Sequence, residues 1–427
     1  VPKLPRFSAG VGDRFASEGR AQIRAARAMR QTGVELALVW NKSFREHSII
    51  GSSPADQRAA ADAAVKAEAW DLPYFVDADH IGLKNLEPFL AHCDFFTIDV
   101  ADAIGLKAPE PTLEAFLTKA APLVRDHAVP GLSEPIRLSR DELRAGAERY
   151  LEAAREAGRV YRRILQDRAA GSFVVEVSMD ETAEPQGPAE LLLILAALAA
   201  EGVPADTIAP KFSGRFNKGV DYVGNPARFR EEFRADLCVA SYAAGLLGLP
   251  PALKLSVHSG SDKFTLYPLM AEALAEFGAG LHLKTAGTSW LEELVGLAES
   301  GASGLALAKE IYARAMGRRQ ELCAPYAQVV DIDPTALPGV DVVRSWSGED
   351  FAAALRHEPG EPHFNPHVRQ LLHVSFKVAA EMGEEYRRAL ALSRQSIERN
   401  VTANLLERHF RPLFGAAARG ASGRRQA

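Results

Sequence analysis

The chain has 427 residues, 47% of them hydrophobic and 25% charged, with a formal net charge of −5. That composition belongs to a soluble globular protein, and an acidic balance with scattered basic residues argues against a nucleic-acid surface. No apolar run approaches the roughly 20 residues of a membrane span. The opening Val1-Pro-Lys-Leu-Pro5 lacks the apolar segment of a secretory signal. Cys93, Cys238 and Cys323 are far apart and form no CxxC, which argues against a disulfide framework or a Cys-based zinc site. Both features fit the reducing cytoplasm.

In chain order, residues 6–12 alternate apolar and small and read as a first strand. Residues 14–30, rich in Ala and Arg with Ile23 and Met29 inward, predict a helix. The second strand candidate covers 34–40 and is followed by a polar loop at 41–47. Ser53-Pro54 opens the next helix, with Ser as N-cap and Pro at the first position. Tyr74-Phe75-Val76 is too short for a helix and reads as a buried third strand ending in Asp77, Asp79 and His80, with Gly82 beyond. Residues 95–100 supply the fourth strand. A charged helical insertion then spans about 101–170, with one extended amphipathic helix at 142–167. Strands resume at Ser172, Asp206, Leu253 and Gly280, with a helix at 189–200. Eight strands separated by helical patterns argue for an α/β fold, a (β/α)8 TIM-type barrel over residues 1–293. A helical C-terminal cap is expected over 294–414 and a flexible tail over 415–427.

In such a barrel the reacting groups sit at the C-terminal ends of the strands. Strand three ends in Asp77, Asp79 and His80; strand five carries Glu176 and ends in Asp180-Glu181; strand seven ends in His258, and strand eight contains His282. His80, His258 and His282 with one or two carboxylates suit a divalent cation (Zn, Mn, Fe, Co or Ni) that keeps an open coordination position. Asp79 is the candidate proton-transfer group, and Glu176 is either a fourth ligand or the catalytic acid. On an extended chain Asp79 and His80 point to opposite sides, so one pocket can hold both only if the backbone turns there. His363, His367 and His373 form a second histidine cluster in the cap, with a spacing that fits a helix surface and loop equally well.

Two small-residue loops, Ser259-Gly260-Ser261-Asp262-Lys263 and Thr285-Ala286-Gly287-Thr288-Ser289, each lead into a helix pattern. Backbone N–H groups at a helix N-terminus bind anions, phosphate and carboxylate alike. Lys211, Arg215, Lys218, Lys263 and Lys284 lie near these strand ends and add positive charge.

Asp77-Ala-Asp-His80, Glu176-Val-Ser-Met-Asp-Glu181, Ala209-Pro-Lys-Phe-Ser-Gly-Arg-Phe216, Val257-His-Ser-Gly-Ser-Asp-Lys263 and His282-Leu-Lys-Thr-Ala-Gly-Thr-Ser-Trp290 together resemble the tagaturonate epimerase family. Arg369-Gln-Leu-Leu-His373 and Glu381-Met-Gly383 extend the resemblance over nearly the whole chain. More distantly, Asp79-His80 and His258-Ser-Gly-Ser resemble the Asp-His pair and the metal loop of class II metal-dependent sugar aldolases. Where those aldolases place a further His-Gly on strand six, this chain has Ser213-Gly214, which leaves His282 as the third ligand.

The resemblance implies a keto-sugar acid as substrate and metal-dependent interconversion of tagaturonate and fructuronate, by retro-aldol cleavage and re-addition. It places the substrate carboxylate among Lys211, Arg215, Ser259, Gly260, Lys263, Lys284, Thr285, Gly287 and Thr288. Two other readings stay open: an aldolase that releases its fragments, and a non-catalytic sugar-acid binding protein. No nucleic acid or membrane partner is expected, and a homo-oligomer is left open.

Overall fold

The computed structural model describes residues 3–419 except 183, 286 and 359. Eight parallel strands close a barrel in chain order. They are β1 (Phe7–Gly12), β2 (Ala37–Ser43), β3 (Tyr74–Ile81) and β4 (Phe95–Asp99), then β5 (Val174–Ser178), β6 (Thr207–Ala209), β7 (Lys254–His258) and β8 (Leu281–Lys284).

Strand side chains alternate between two faces. One set, including Val76, Ile98, Val177, Leu255 and Leu283, packs outward under the helices. The other fills the barrel, where Val39, Phe75, Phe95 and Val174 form a small apolar plug with Leu4 against it. Beyond the plug the inward positions turn polar. Ser8, His282 and Ser256 share one level, and Gly10, Lys284 and His258 share the next, nearer the C-terminal ends of the strands.

Several boundaries differ from those read in the sequence. Asn41, Lys42 and Ser43, expected in a polar loop, pair with Asp77, Ala78 and Asp79 of β3. Lys42 tolerates this buried place because its Nζ donates to the Arg14 carbonyl at 3.0 Å. The first helix is Gly19–Gln31 and not 14–30. Asp13 holds the preceding loop by accepting the N–H groups of Ser17 and Glu18 at 3.0 and 2.7 Å. Helix Pro54–Ala67 starts where expected, behind a capping box of Ser53 and Asp56.

Within 101–170 lie a helix, Glu110–Ala120, an antiparallel pair of two-residue strands, Asp126–His127 and Ile136–Arg137, and the long helix Arg140–Ile164. The long helix packs against Pro188–Ala200 on the outside of the barrel.

Residue 293 falls inside helix Thr288–Glu299, and the next helix begins at Ala302. The C-terminal helices then take two directions. Pro366–Val374 sits over the β7 and β8 loops, where Trp290 Nε1 donates to the Leu372 carbonyl at 2.7 Å. Arg394–Ala403 and Asn404–Gly415 instead run along the outside, against Gly19–Gln31 and Tyr267–Phe277, until Phe414 meets Phe7 at 5.2 Å between ring centres. Residues 416–419 continue as helix with Ala417 buried, and residues 420–427 of the expected tail lie outside the described residues.

The mouth side is fastened by one buried charge. Asp262, in the loop after β7, is fully buried and accepts from Arg369 Nη2 at 2.6 Å and stands 3.1 Å from His357 Nδ1. Arg369 is itself buried, and its Nε donates to the Gly219 carbonyl at 2.8 Å. Removing one member of such a pair strands the other charge in a dry site, at a cost of about 3–5 kcal/mol. Arg369→Met is therefore expected to lower the urea unfolding midpoint clearly. In a double-mutant cycle with Asp262→Asn the two losses should be far from additive; simple additivity would show that the pair carries no docking energy.

Candidate active site

The site grows from an irregularity in β3. Pairing with β4 is regular through Ala78, slips, and resumes at Ile81. Within the slip His80 adopts φ +51°, a left-handed conformation that costs a non-glycine residue free energy. This bulge is the backbone turn that lets Asp79 and His80, adjacent in sequence, serve one pocket.

At the barrel axis stands Lys284 of β8. Its Nζ lies 2.9 Å from Asp77 Oδ2, 2.8 Å from Asp79 Oδ1 and 3.0 Å from Glu176 Oε1, and it also donates to the Thr97 hydroxyl. Burial disfavours an ammonium, but Asp77, Asp79 and Glu176 outweigh it and hold the Lys284 pKa well above the usual lysine value. With three carboxylates around one cation, one of them is pushed up. Burial pushes Asp77 up to about 7, opposed by Lys284 and helped by the other two carboxylates. Burial also acts to raise Asp79, yet Lys284 and then His80 hold it well below the usual carboxylate range.

The two imidazoles are each held by one nitrogen. His80 Nδ1 is 3.0 Å from Asp99 Oδ2, and His258 Nε2 is 2.8 Å from Glu176 Oε1. Glu176 is fixed in turn, its Oε2 accepting from Thr207 Oγ1 at 2.7 Å. The rings stand 5.1 Å apart. His258 Nδ1 lies 3.1 Å from Asp180 Oδ1 and has no hydrogen-bond partner among the described residues.

Ligand atoms of His80, His258 and Asp180 all fall within 4.8 Å of one another. That donor set, two imidazoles and a carboxylate, suits a divalent transition metal, and ligating histidines characteristically rest their second nitrogen on a carboxylate, as both rings do here. The local charge agrees. Burial opposes a proton on either ring, but Asp79 with Asp99 and Asp180 raises His80 to about 10, and Asp180 raises His258 to about 9. The carboxylates thus favour positive charge at this place.

His282, expected as the third ligand, is not brought to this group. It lies one inward position deeper than Lys284, its Nδ1 2.9 Å from Ser8 Oγ and its ring 5.1 Å from Phe95. Burial lowers its pKa to about 3, so the ring is neutral. The residue that joins the histidines instead is Asp180, visible in the sequence only as part of a strand-end acidic pair. Asp99 carried the same strand-end signal on β4.

The residues expected to hold an anion divide. Ser259 Oγ donates to the Lys284 carbonyl at 2.7 Å, and Thr285 Oγ1 to the Gly10 carbonyl at 3.3 Å, so both brace the strand ends. Gly260 and Gly287 meet backbone to backbone, the Gly287 N–H on the Gly260 carbonyl at 3.2 Å. The Thr288 hydroxyl is buried without a hydrogen-bond partner among the described residues. Lys263 is spent on the carbonyls of Asn217, Val220 and Asp262, at 3.0, 2.9 and 3.1 Å. Lys211 holds Gln186 through its backbone N–H at 2.7 Å, and Arg215 pairs with Asp331 at 3.1 Å on the exposed rim. In the cap, His363 is exposed, His367 Nδ1 accepts the Asp333 N–H at 3.0 Å, and His373 alone is buried at the mouth.

A (β/α)8 barrel whose strand ends gather imidazoles, carboxylates and one ammonium in this way is the architecture of a barrel enzyme. The chain belongs to the tagaturonate epimerase family, whose sequence model matches residues 2–391. A tagaturonate/fructuronate epimerase of Thermotoga maritima is 29% identical over 385 residues, which cover 87% of this chain and 73% of that protein. A glycerol-complexed crystal structure of a fructuronate-tagaturonate epimerase from Cohnella laeviribosi shares the fold. Its TM-score is 0.79 at 24% identity, covering 97% of this chain and 83% of that one. The native crystal structure of the same protein gives 0.76 at 24% identity, covering 97% and 82%.

Lys284 is the group whose loss this geometry tolerates least. Lys284→Met leaves three buried carboxylates without their cation, at a cost of about 3–5 kcal/mol in unfolding free energy. Denaturant titration checks this, and an unchanged midpoint would mean that the carboxylates find another counter-charge.

Proposed function

We propose that this chain interconverts tagaturonate and fructuronate, using a divalent metal ion held by His80, His258 and Asp180. Family membership supports the reaction. The metal rests on one observation above the others: two imidazoles, each anchored on a carboxylate, converge with Asp180. In this reading Asp180 takes the place first given to His282.

The two sugars are keto-hexuronates that differ at one hydroxyl-bearing carbon, beta to the ketone and beta to the carboxylate. Neither group acidifies that C–H, so enolisation does not invert the centre. Cleavage of the bond to the neighbouring alpha carbon does. The hydroxyl gives up its proton, its carbon becomes an aldehyde, and the bond's electron pair passes to the ketone as an enolate. Rotation of the aldehyde and re-addition on its other face invert the centre, and the proton returns to the new alkoxide. A divalent ion bound in the site supplies Lewis-acid polarisation of the ketone.

The chain's own groups have distinct parts in this scheme. Asp79 takes and returns the hydroxyl proton. It is ionised, and its Oδ2 makes no hydrogen bond among the described residues while Oδ1 rests on Lys284. Glu176 and Asp99 orient the imidazoles, and every oxygen of Glu176 is already engaged. Lys284 stays an ammonium, which makes it an electrostatic support and unsuited to a Schiff base, since that needs a neutral amine.

Asp79→Asn keeps the shape and removes the base. Turnover should fall by about 10²–10⁴ with bound metal unchanged, whereas His80→Ala should lose metal and activity together. Metal analysis of the two purified variants reads this, and metal lost from Asp79→Asn would make Asp79 a ligand. In heavy water, NMR of the product should show no deuterium on the inverted carbon, because that carbon keeps its own hydrogen as the aldehyde. Deuterium there would replace bond cleavage by a two-base proton transfer.

A further inference from the structure

Beside the catalytic carboxylates lies a second cluster that proton transfer and metal binding do not use. It is rich in donors and poor in acceptors. Helix Thr288–Glu299 opens here behind Gly287; the N–H groups of Gly287 and Thr288 go to the carbonyls of Gly260 and Thr285, so the terminus offers those of the residues that follow. Next to that terminus two buried groups lack partners among the described residues, the Thr288 hydroxyl and both ring nitrogens of His373. Each of these residues is only 1% exposed. His373 comes from the cap helix Pro366–Val374 and lies so close to Gly287 that a Cβ there would stand 1.9 Å from Nε2.

Lys218 completes the cluster. A Cβ built on Gly260, whose φ is +68°, would lie 3.9 Å from its Nζ, and the carbonyl of Gly260 receives the Gly287 N–H. The Lys218 ammonium has no hydrogen bond or ion pair among the described residues, and stands 5.8 Å from the centre of the Tyr326 ring. Burial lowers its pKa to about 8, with Arg14 and Arg45 adding repulsion, so it remains largely cationic at neutral pH. Glu181 and Asp180 oppose that lowering. Burial keeps His373 neutral, reinforced by Lys218 and Arg14.

Unpaired buried polar groups are costly, and beside them stands a half-buried ammonium without a counter-charge. A ligand that supplies acceptors and one negative charge removes both costs. We infer that Lys218, His373, Thr288 and the N-terminus of helix Thr288–Glu299 bind the carboxylate of the sugar acid and select it over the neutral sugar. The inference rests on the proposed reaction and names the part of the site that recognises its substrate. One unpaired ammonium and a neutral ring match a single charge.

Lys218→Met removes the charge while keeping the stem, and His373→Phe keeps a ring without donors. In each, the KM for tagaturonate should rise about 10- to 100-fold, with kcat moving much less. The kcat/KM ratio of tagaturonate over tagatose, its neutral counterpart, should fall by a similar factor. A KM within about threefold of wild type in both variants, or equal losses on both sugars, overturns the inference. Thermal stabilisation by galacturonate, measured against galactose, separates this from failure of the reaction itself. If wild type turns over neither keto-sugar, the functional reading fails. Loss of the galacturonate shift in Lys218→Met then still supports the subsite, and an equal shift in both proteins overturns it.

Discussion

One ammonium inside a closed barrel sets the charge of everything near it. Lys284 faces Asp77 and Asp79 from β3 and Glu176 from β5. With three carboxylates around one ammonium in a dry interior, burial and its two neighbours push Asp77 up, while Asp79 and Glu176 are held ionised. Ionised Glu176 fixes His258, and ionised Asp79 is the base the proposed chemistry needs. Such a buried ion cluster seldom stabilises a fold more than apolar packing of the same volume would. The barrel's apolar stabilisation comes from its outer face and from the plug of Phe75, Phe95, Val39 and Val174 beneath the charges.

The second constraint is steric. A regular β3 would turn His80 outward, toward the helices that cover Val76 and Ala78. The slip between Ala78 and Ile81 breaks that alternation at one residue, and Ile81 resumes its place in the outer core. The left-handed His80 costs about 1–3 kcal/mol, which the regular pairing on either side sustains. His80 and Asp79 are thereby held on a rigid strand end instead of a mobile loop.

Much of this was legible in the sequence, and the rest was not for identifiable reasons. The eight strands read as short apolar segments mostly separated by helical patterns, with Asp79, His80 and His258 at strand ends and Glu176 on strand five. What sequence could not convey is depth. His282 and Lys284 share a face of β8, yet one sits among Ser8 and Ser256 and the other among the carboxylates. A two-residue difference along a strand, about 7 Å, separates a neutral core histidine from the centre of the site. Occupancy was equally hidden. Lys263 reads as a free charge in an anion loop, but its ammonium is consumed by three carbonyls, whereas that of Lys218, on a longer connection, has no hydrogen bond or ion pair among the described residues. The identity of the cap histidine that reaches the mouth depended on tertiary docking through Asp262 and Arg369, which no local pattern encodes.

That docking bears directly on what separates an epimerase from an aldolase. Both would break the same bond; an epimerase must also keep the fragments until one has turned over. Two fragments held in a closed site react at an effective concentration far above any in solution, up to about 10⁵–10⁸ M in well-oriented cases. Recombination then outruns escape only if the cover stays in place through the rotation. The loop after β7 ties these requirements together, because Asp262 fastens the cap helix through Arg369 while Gly260, two residues earlier, meets Gly287. The same cap helix brings His373 over Gly287. In the proposed chemistry the cover and the carboxylate clamp are therefore one rigid piece. The acid-bearing aldehyde fragment stays anchored by its carboxylate, and its carbonyl carbon is the end left free to turn.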